Sequence, residues 1–136
     1  MNPLFTSALV VLVLFTKRTH ACVATSPGTA PTTAAPTGCQ ACTLDSVQQI
    51  MISLGTKAFT SDTIDNSGTC AIRTSVCNGF SAGSGVLISY NRDAAGVDDG
   101  TDTVTSTLVC NDAGQWTKTQ NGVTAVITAF ECQSTP

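Results

Sequence analysis

The chain has 136 residues, 42% of them hydrophobic and 11% charged, about half the charged share of a typical soluble domain. That is room for one domain of ordinary size. Nine acidic residues against six basic ones give a net charge of −3, which leaves no basic face to displace phosphate counterions and excludes a nucleic-acid binder.

Residues 4–16 (LFTSALVVLVLFT) form an apolar run of 13. A bilayer span needs about 20, so the run reads as the core of a signal peptide. Lys17, Arg18 and His20 follow it. Small residues permit cleavage after Ala21, making residues 1–21 the signal peptide, or after Ala24. Cys22 survives only the first cut. It is then an odd thiol, which invites an intermolecular disulfide and a linked dimer. Either cut leaves four basic residues against nine acidic ones, a net of −5. No second hydrophobic run follows, so neither a membrane span nor a lipid-anchor tail is expected.

Residues 22–38 read as a disordered, mucin-like Thr/Pro/Ala linker. Val23 to Gly38 hold three prolines, six Ser or Thr and no charge, too little apolar surface to offset the entropy of folding. Their hydroxyls are candidate O-glycan acceptors. The chain contains no Asn-x-Ser/Thr site for N-glycans.

The folded domain is expected over residues 39–132, with 133–136 as a tail. Val47, Ile50, Met51 and Leu54 fall at helical spacing behind Asp45 as a cap; a strand over 50–54 is the competing reading. From Thr69 onward strands dominate. Ala71 to Cys77 and Val86 to Tyr90 are two. Asp102 to Cys110 alternates, with Val104, Leu108 and Cys110 on one face. Asn111-Asp112-Ala113-Gly114 is a turn by its chemistry. Gln115 to Thr119 returns to the hairpin turn Asn121-Gly122, where both residues tolerate positive φ. Val123 to Glu131 follows, placing Val126, Thr128, Phe130 and Cys132 on one side. Short strands with turns between them predict an all-β fold, a disulfide-stapled β-sandwich or small barrel.

Seven cysteines in a short chain point to an oxidising compartment. The six in the domain allow fifteen pairings. Cys77 and Cys110 each end an expected strand and could bridge neighbours or facing sheets. Cys42 and Cys132 lie near the two ends of the domain and could tie them. Cys39–Cys70 would remain.

Cys39-Gln-Ala-Cys42, Cys70-Ala-Ile-Arg-Thr-Ser-Val-Cys77, Leu108-Val-Cys-Asn-Asp-Ala-Gly-Gln-Trp116 and Ile127-Thr-Ala-Phe-Glu-Cys132 together resemble the six-cysteine extracellular domain of nematodes, the C-six domain. The resemblance runs from Cys39 to Cys132. It implies an extracellular domain with no assigned molecular activity. Some members lack the first and third cysteines together, which implies a Cys39–Cys70 pair here. Cys22 lies outside the pattern.

Catalytic signals are weak. His20 is the sole histidine, and either signal cleavage removes it, so no Ser-His-Asp or Cys-His apparatus is expected. Lys57 and Lys118 sit in polar stretches, a poor setting for a lysine base. The Cys39/Cys42 spacing lacks the βαβ context of a redox motif and the second close pair of a zinc site. Asp98, Asp99 and Asp102, with Asp93 nearby, do not match a calcium loop and read as a solvated acidic turn. Trp116, the sole tryptophan, reads as core. No metal and no cofactor are expected. The reading is a secreted structural, adhesive or binding module without catalysis, whose partner is an extracellular protein or matrix component. The alternative is a secreted effector such as a protease inhibitor or toxin-like protein, with the Asn91–Thr101 loop as its only long candidate.

Overall fold

The computed structural model describes residues 34–136. The expected signal peptide, both cleavage sites, His20, Cys22 and linker residues 22–33 lie outside these residues. Two 3-10 turns, Gly38–Gln40 and Leu44–Ser46, lead into nine strands: β1 (Thr56–Lys57), β2 (Ser61–Asp65), β3 (Ile72–Asn78), β4 (Gly85–Tyr90), β5 (Val97–Thr101), β6 (Thr103–Cys110), β7 (Trp116–Gln120), β8 (Val123–Val126) and β9 (Phe130–Ser134).

Strand β6 shows why this sequence makes sheets. Val104, Ser106, Leu108 and Cys110 are buried, while Thr103, Thr105, Thr107 and Val109 between them are exposed. Period-2 burial with β-branched residues outside is the mark of a half-buried strand. The strands form two antiparallel sheets, ordered β2-β3-β6-β7-β8 and β1-β9-β4-β5. Cys77, Leu108, Cys110 and Trp116 of the first meet Val86, Ile88, Tyr90, Phe130 and Cys132 of the second in one core. The expected all-β fold therefore takes the sandwich form.

Three expectations about local structure change. Residues 45–54 form neither the expected α-helix nor a strand. After the turn at Leu44–Ser46, the chain lies alongside β9 through a single parallel bridge, Gln49 to Phe130. Its backbone groups find distant partners instead of helical ones. Arg73 donates to the carbonyls of Leu44 and Val47 at 3.2 and 2.7 Å. Ile52 and Ser53 donate their N–H groups to Glu131, both at 2.8 Å.

The expected single strand over Val123–Glu131 is two strands in different sheets. The chain crosses between them at residues 127–129, burying Ile127 and leaving Val126 partly exposed. Asn91 holds the crossing. Its Nδ2 donates to the Val126 carbonyl, and its Oδ1 accepts from the Thr128 and Ala129 N–H groups.

The acidic stretch is the third. Val97–Thr101 is not a solvated turn or part of a long loop; it pairs with β4 over its whole length. Only the short turn before it, up to Gly96, connects the two strands.

Candidate functional site

The largest gathering of chemically active side chains spans the gap between the sheets. Tyr90 and Ser106, on facing sheets, are buried and hydrogen-bonded to each other. The Tyr90 hydroxyl also donates to Asp98 at 2.6 Å. Lys118 on β7 forms an ion pair with Asp98 and lies 3.3 Å from Ser106 Oγ. Its ammonium sits 5.1 Å from the centroid of the Tyr90 ring. Gln120 donates to Asp98 Oδ1 at 2.7 Å and to the Val97 carbonyl at 2.9 Å.

The protonation states follow. Burial, then the hydrogen bond to Asp98, raises the Tyr90 hydroxyl far above the ordinary phenol range. Burial pushes Asp98 upward, but the bonds from Lys118, Tyr90 and Gln120 outweigh it and hold the carboxylate below its usual range. A serine beside a lysine can act as a nucleophile and its base. Here the lysine is committed to Asp98 and Ser106 is 2% exposed. The cluster is built as a latch that ties edge strand β5 across to β6 and β7.

Two further polar clusters repeat the plan. Arg73, 2% exposed on β3, makes a two-pronged pair with Asp62 of β2, and Ser75 donates to the same carboxylate at 2.9 Å. The guanidinium also stacks 4.5 Å from the Phe130 centroid. Glu131 accepts from the two N–H groups of Ile52 and Ser53, from the Ser53 hydroxyl and from Gln133. Burial alone would raise it; these donors bring it below its ordinary range.

Beside the latch, Asn91, Arg92 and Asp93 take three consecutive left-handed conformations, φ 50°, 57° and 68°. Non-glycine residues enter this region at a cost of about 1–2 kcal/mol each. The Asn91 bonds to residues 126–129 and a bond from the Asp93 N–H to Ser89 Oγ hold the turn in place.

The cysteines form Cys39–Cys70, Cys42–Cys110 and Cys77–Cys132. The expected pairs Cys42–Cys132 and Cys77–Cys110 do not form. Cys77 and Cys110 both face inward from neighbouring strands, but those strands run antiparallel. Cys77 lies opposite Val104 and Ile72 opposite Val109, which puts Cys110 six residues, about 20 Å, along the ladder from Cys77. Cys77 instead faces Cys132 across the gap between the sheets. Cys110, at the far end of β6, meets Cys42 in the N-terminal segment. Trp116 lies opposite Cys110 in the ladder, fully buried, and donates its indole N–H to the Thr43 carbonyl at 2.9 Å.

A family model described as the C6 domain matches residues 39–132. The chain belongs to the C6 domain family. It is 54% identical over 106 residues to an uncharacterized protein of Caenorhabditis elegans, across 77% of this chain and 72% of that one. No solved structure matches it. The six cysteines between residues 39 and 132 are all paired in this C6 domain, and none is left as a thiol there.

The surface of the C6 domain carries shallow grooves. One of about 290 Å³ runs over the outer face of the four-stranded sheet, between Leu54, Leu87, Asp99 and Gln133. Another, about 260 Å³, lies between the left-handed turn and the β7–β8 hairpin, lined by Ala94, Ala95, Gln120, Val123 and Ala125. Among the described residues, no three His, Cys, Asp or Glu side chains come together as a metal site. Asp98 and Lys118 read in the sequence only as an acidic turn and a polar stretch, and the polar roles of Tyr90, Ser106, Asp62, Arg73 and Glu131 carry no sequence signal of their own. Lys118 alternates with threonines on either side, and that alternation was the available signal.

Proposed function

We propose that this C6 domain is an extracellular structural or binding module without catalysis, carried behind a cleaved signal peptide on an O-glycosylated Thr/Pro/Ala stalk. The observation that carries the reading is the complete pairing of six cysteines in three bridges. Such bridges persist in oxidising compartments and are rare in the cytosol. The polar clusters support the non-catalytic part. Their charged groups are spent on one another and on backbone groups between strands, which stiffens a scaffold for presenting surface. Among the described residues no helix is long and apolar enough to cross a membrane.

The alternative, a secreted effector such as a protease inhibitor, would need a rigid exposed loop, and the segment named for it is largely committed to the sheet. The Asn91–Thr101 segment offers a paired strand and a left-handed turn instead.

The test is expression of the full chain with its own N-terminus in a eukaryotic secretory host. The expected result is protein in the medium, beginning at Cys22 or at Thr25 as the cut dictates, with glycans on the stalk. Retention in the cytosol with free thiols would overturn the proposal. Non-reducing gels of the same material read the fate of Cys22: a band at twice the monomer mass, lost on reduction, marks the linked dimer.

A further inference from the structure

The described residues hold two Asn-Gly pairs, Asn78-Gly79 and Asn121-Gly122, and the fold treats them in opposite ways. Asn-Gly is chemically labile because glycine has no side chain to shield its amide nitrogen. That nitrogen can attack the asparagine side-chain carbonyl. Whether it does so depends on how freely the two residues move.

Asn78 ends β3 in the interior of the five-stranded sheet. It pairs with Thr103, its side-chain Oδ1 accepts from the Thr103 hydroxyl at 3.1 Å, and its N–H donates to Thr60 Oγ1 at 3.3 Å. The Gly79 N–H, which carries the attacking nitrogen, is held on the Asp102 carbonyl at 2.6 Å. The Gly79 carbonyl accepts from Lys57 at 3.2 Å. A Cβ at Gly79 would lie 2.7 Å from that of Ser84, so the main chain here is closely packed against its neighbours.

Asn121 and Gly122 are both exposed, at the tip of the β7–β8 hairpin. Their φ values of 50° and 79° make a two-residue left-handed turn. Among the described residues, neither the Asn121 side chain nor the Gly122 N–H has a hydrogen-bond partner. Nothing lies within 4 Å of a Cβ built on Gly122. Hairpin tips open at far lower free energy than sheet interiors.

We infer that Asn121 is a site of spontaneous deamidation and isoaspartate formation in the folded protein, and that Asn78 is protected from it. The Gly122 nitrogen bonds to Asn121 Cγ, its proton passes to solvent, and the side-chain amide leaves as ammonia. Water then opens the resulting five-membered imide at one carbonyl or the other. The products are aspartate, and isoaspartate with one extra carbon in the main chain. Aspartate tolerates the left-handed turn and adds only a charge. Isoaspartate lengthens a two-residue loop that has no slack. The strain falls on β7, which carries Lys118 and Gln120 to Asp98.

The experiment incubates the full, disulfide-bonded protein at neutral and mildly alkaline pH. Peptide mass spectrometry with isoaspartyl methyltransferase labelling then follows both sites. A reduced, urea-unfolded sample runs in parallel, and N121D is the control for assignment. Conversion at Asn121 at least about tenfold faster than at Asn78 in the folded protein, which corresponds to a modest difference in opening free energy, is the expected result. The two sites should convert at similar rates when unfolded, and the Asn121 rate should rise with pH. The separated isoaspartate fraction should unfold at lower urea than N121D. Equal rates at the two sites in the folded protein, or no conversion at Asn121, would overturn the inference.

Discussion

Two double substitutions separate chain entropy from burial as the source of disulfide stability. C39A/C70A opens a bridge of sequence separation 31, and C77A/C132A one of 55. Loop closure alone assigns about 3.7 kcal/mol to the first and about 4.2 kcal/mol to the second. The burial differs more than the loops do. Cys77 and Cys132 are 0% exposed between the sheets, while Cys39 and Cys70 are only partly buried. Removing the two inner sulfurs leaves voids and lost contacts worth about 2 kcal/mol more. C77A/C132A should therefore lose about 6 kcal/mol, close to the whole stability of many domains, and C39A/C70A about 4 kcal/mol. Urea unfolding followed by fluorescence of Trp116, the sole tryptophan, measures both. Equal losses, or a larger loss in C39A/C70A, would refute the argument from burial.

The polar clusters can be tested in three ways. E131A removes the acceptor for two backbone N–H groups and the Ser53 hydroxyl, and should cost about 3 kcal/mol in urea unfolding; a loss under about 0.5 kcal/mol would contradict the role assigned to Glu131. D98N and K118M should each destabilise by about 2 kcal/mol, and the double variant by less than their sum, because each single change strands the other group in a half-buried site; strict additivity would count against the latch. Stability should also fall at both ends of the pH range. Asp98 and Glu131 bind protons more weakly in the folded state, so their contribution is present above the unfolded carboxylate range and is lost as pH falls below about 4. Tyr90 holds its proton more tightly when folded, so its contribution is present below about pH 10 and is lost above it. Urea midpoints across pH check both signs.

Much of the sandwich was legible because some segments say one thing at every level. In β6, threonine outside and apolar residues inside agree with a strand. Asn121-Gly122 agrees with a hairpin tip. The bounds of β3, β4, β6 and β7 fall within a residue or so of those expected. Strands β2 and β5 were hidden for a physical reason. They are short edge strands rich in aspartate, and their inward side chains, Asp62 and Asp98, are made acceptable inside by Arg73 and Lys118 from other strands. Composition cannot see such a partner. Strand β3 inverts the usual pattern, burying Arg73 and Ser75 while Ile72 stays partly exposed. The disulfide wiring failed where inward facing was known but the antiparallel register was not. The N-terminal segment failed because its hydrogen bonds go to Arg73 and Glu131, both far away in the chain.

Cys77–Cys132 rivets the two sheets, and the proposed passage through an oxidising secretory route is what would form and keep that bridge. Tryptic mapping without reduction, on protein recovered from the medium, tests this most directly. Cleavage after Lys57, Arg73, Arg92 and Lys118 places Cys39 and Cys42 on one peptide and every other domain cysteine on its own. Two linked sets are predicted: the Cys39/Cys42 peptide joined to 58–73 and 93–118, and 74–92 joined to 119–136. Peptide 119–136 joined to the Cys39/Cys42 peptide, 74–92 joined to 93–118, or domain cysteines recovered as free thiols would contradict it.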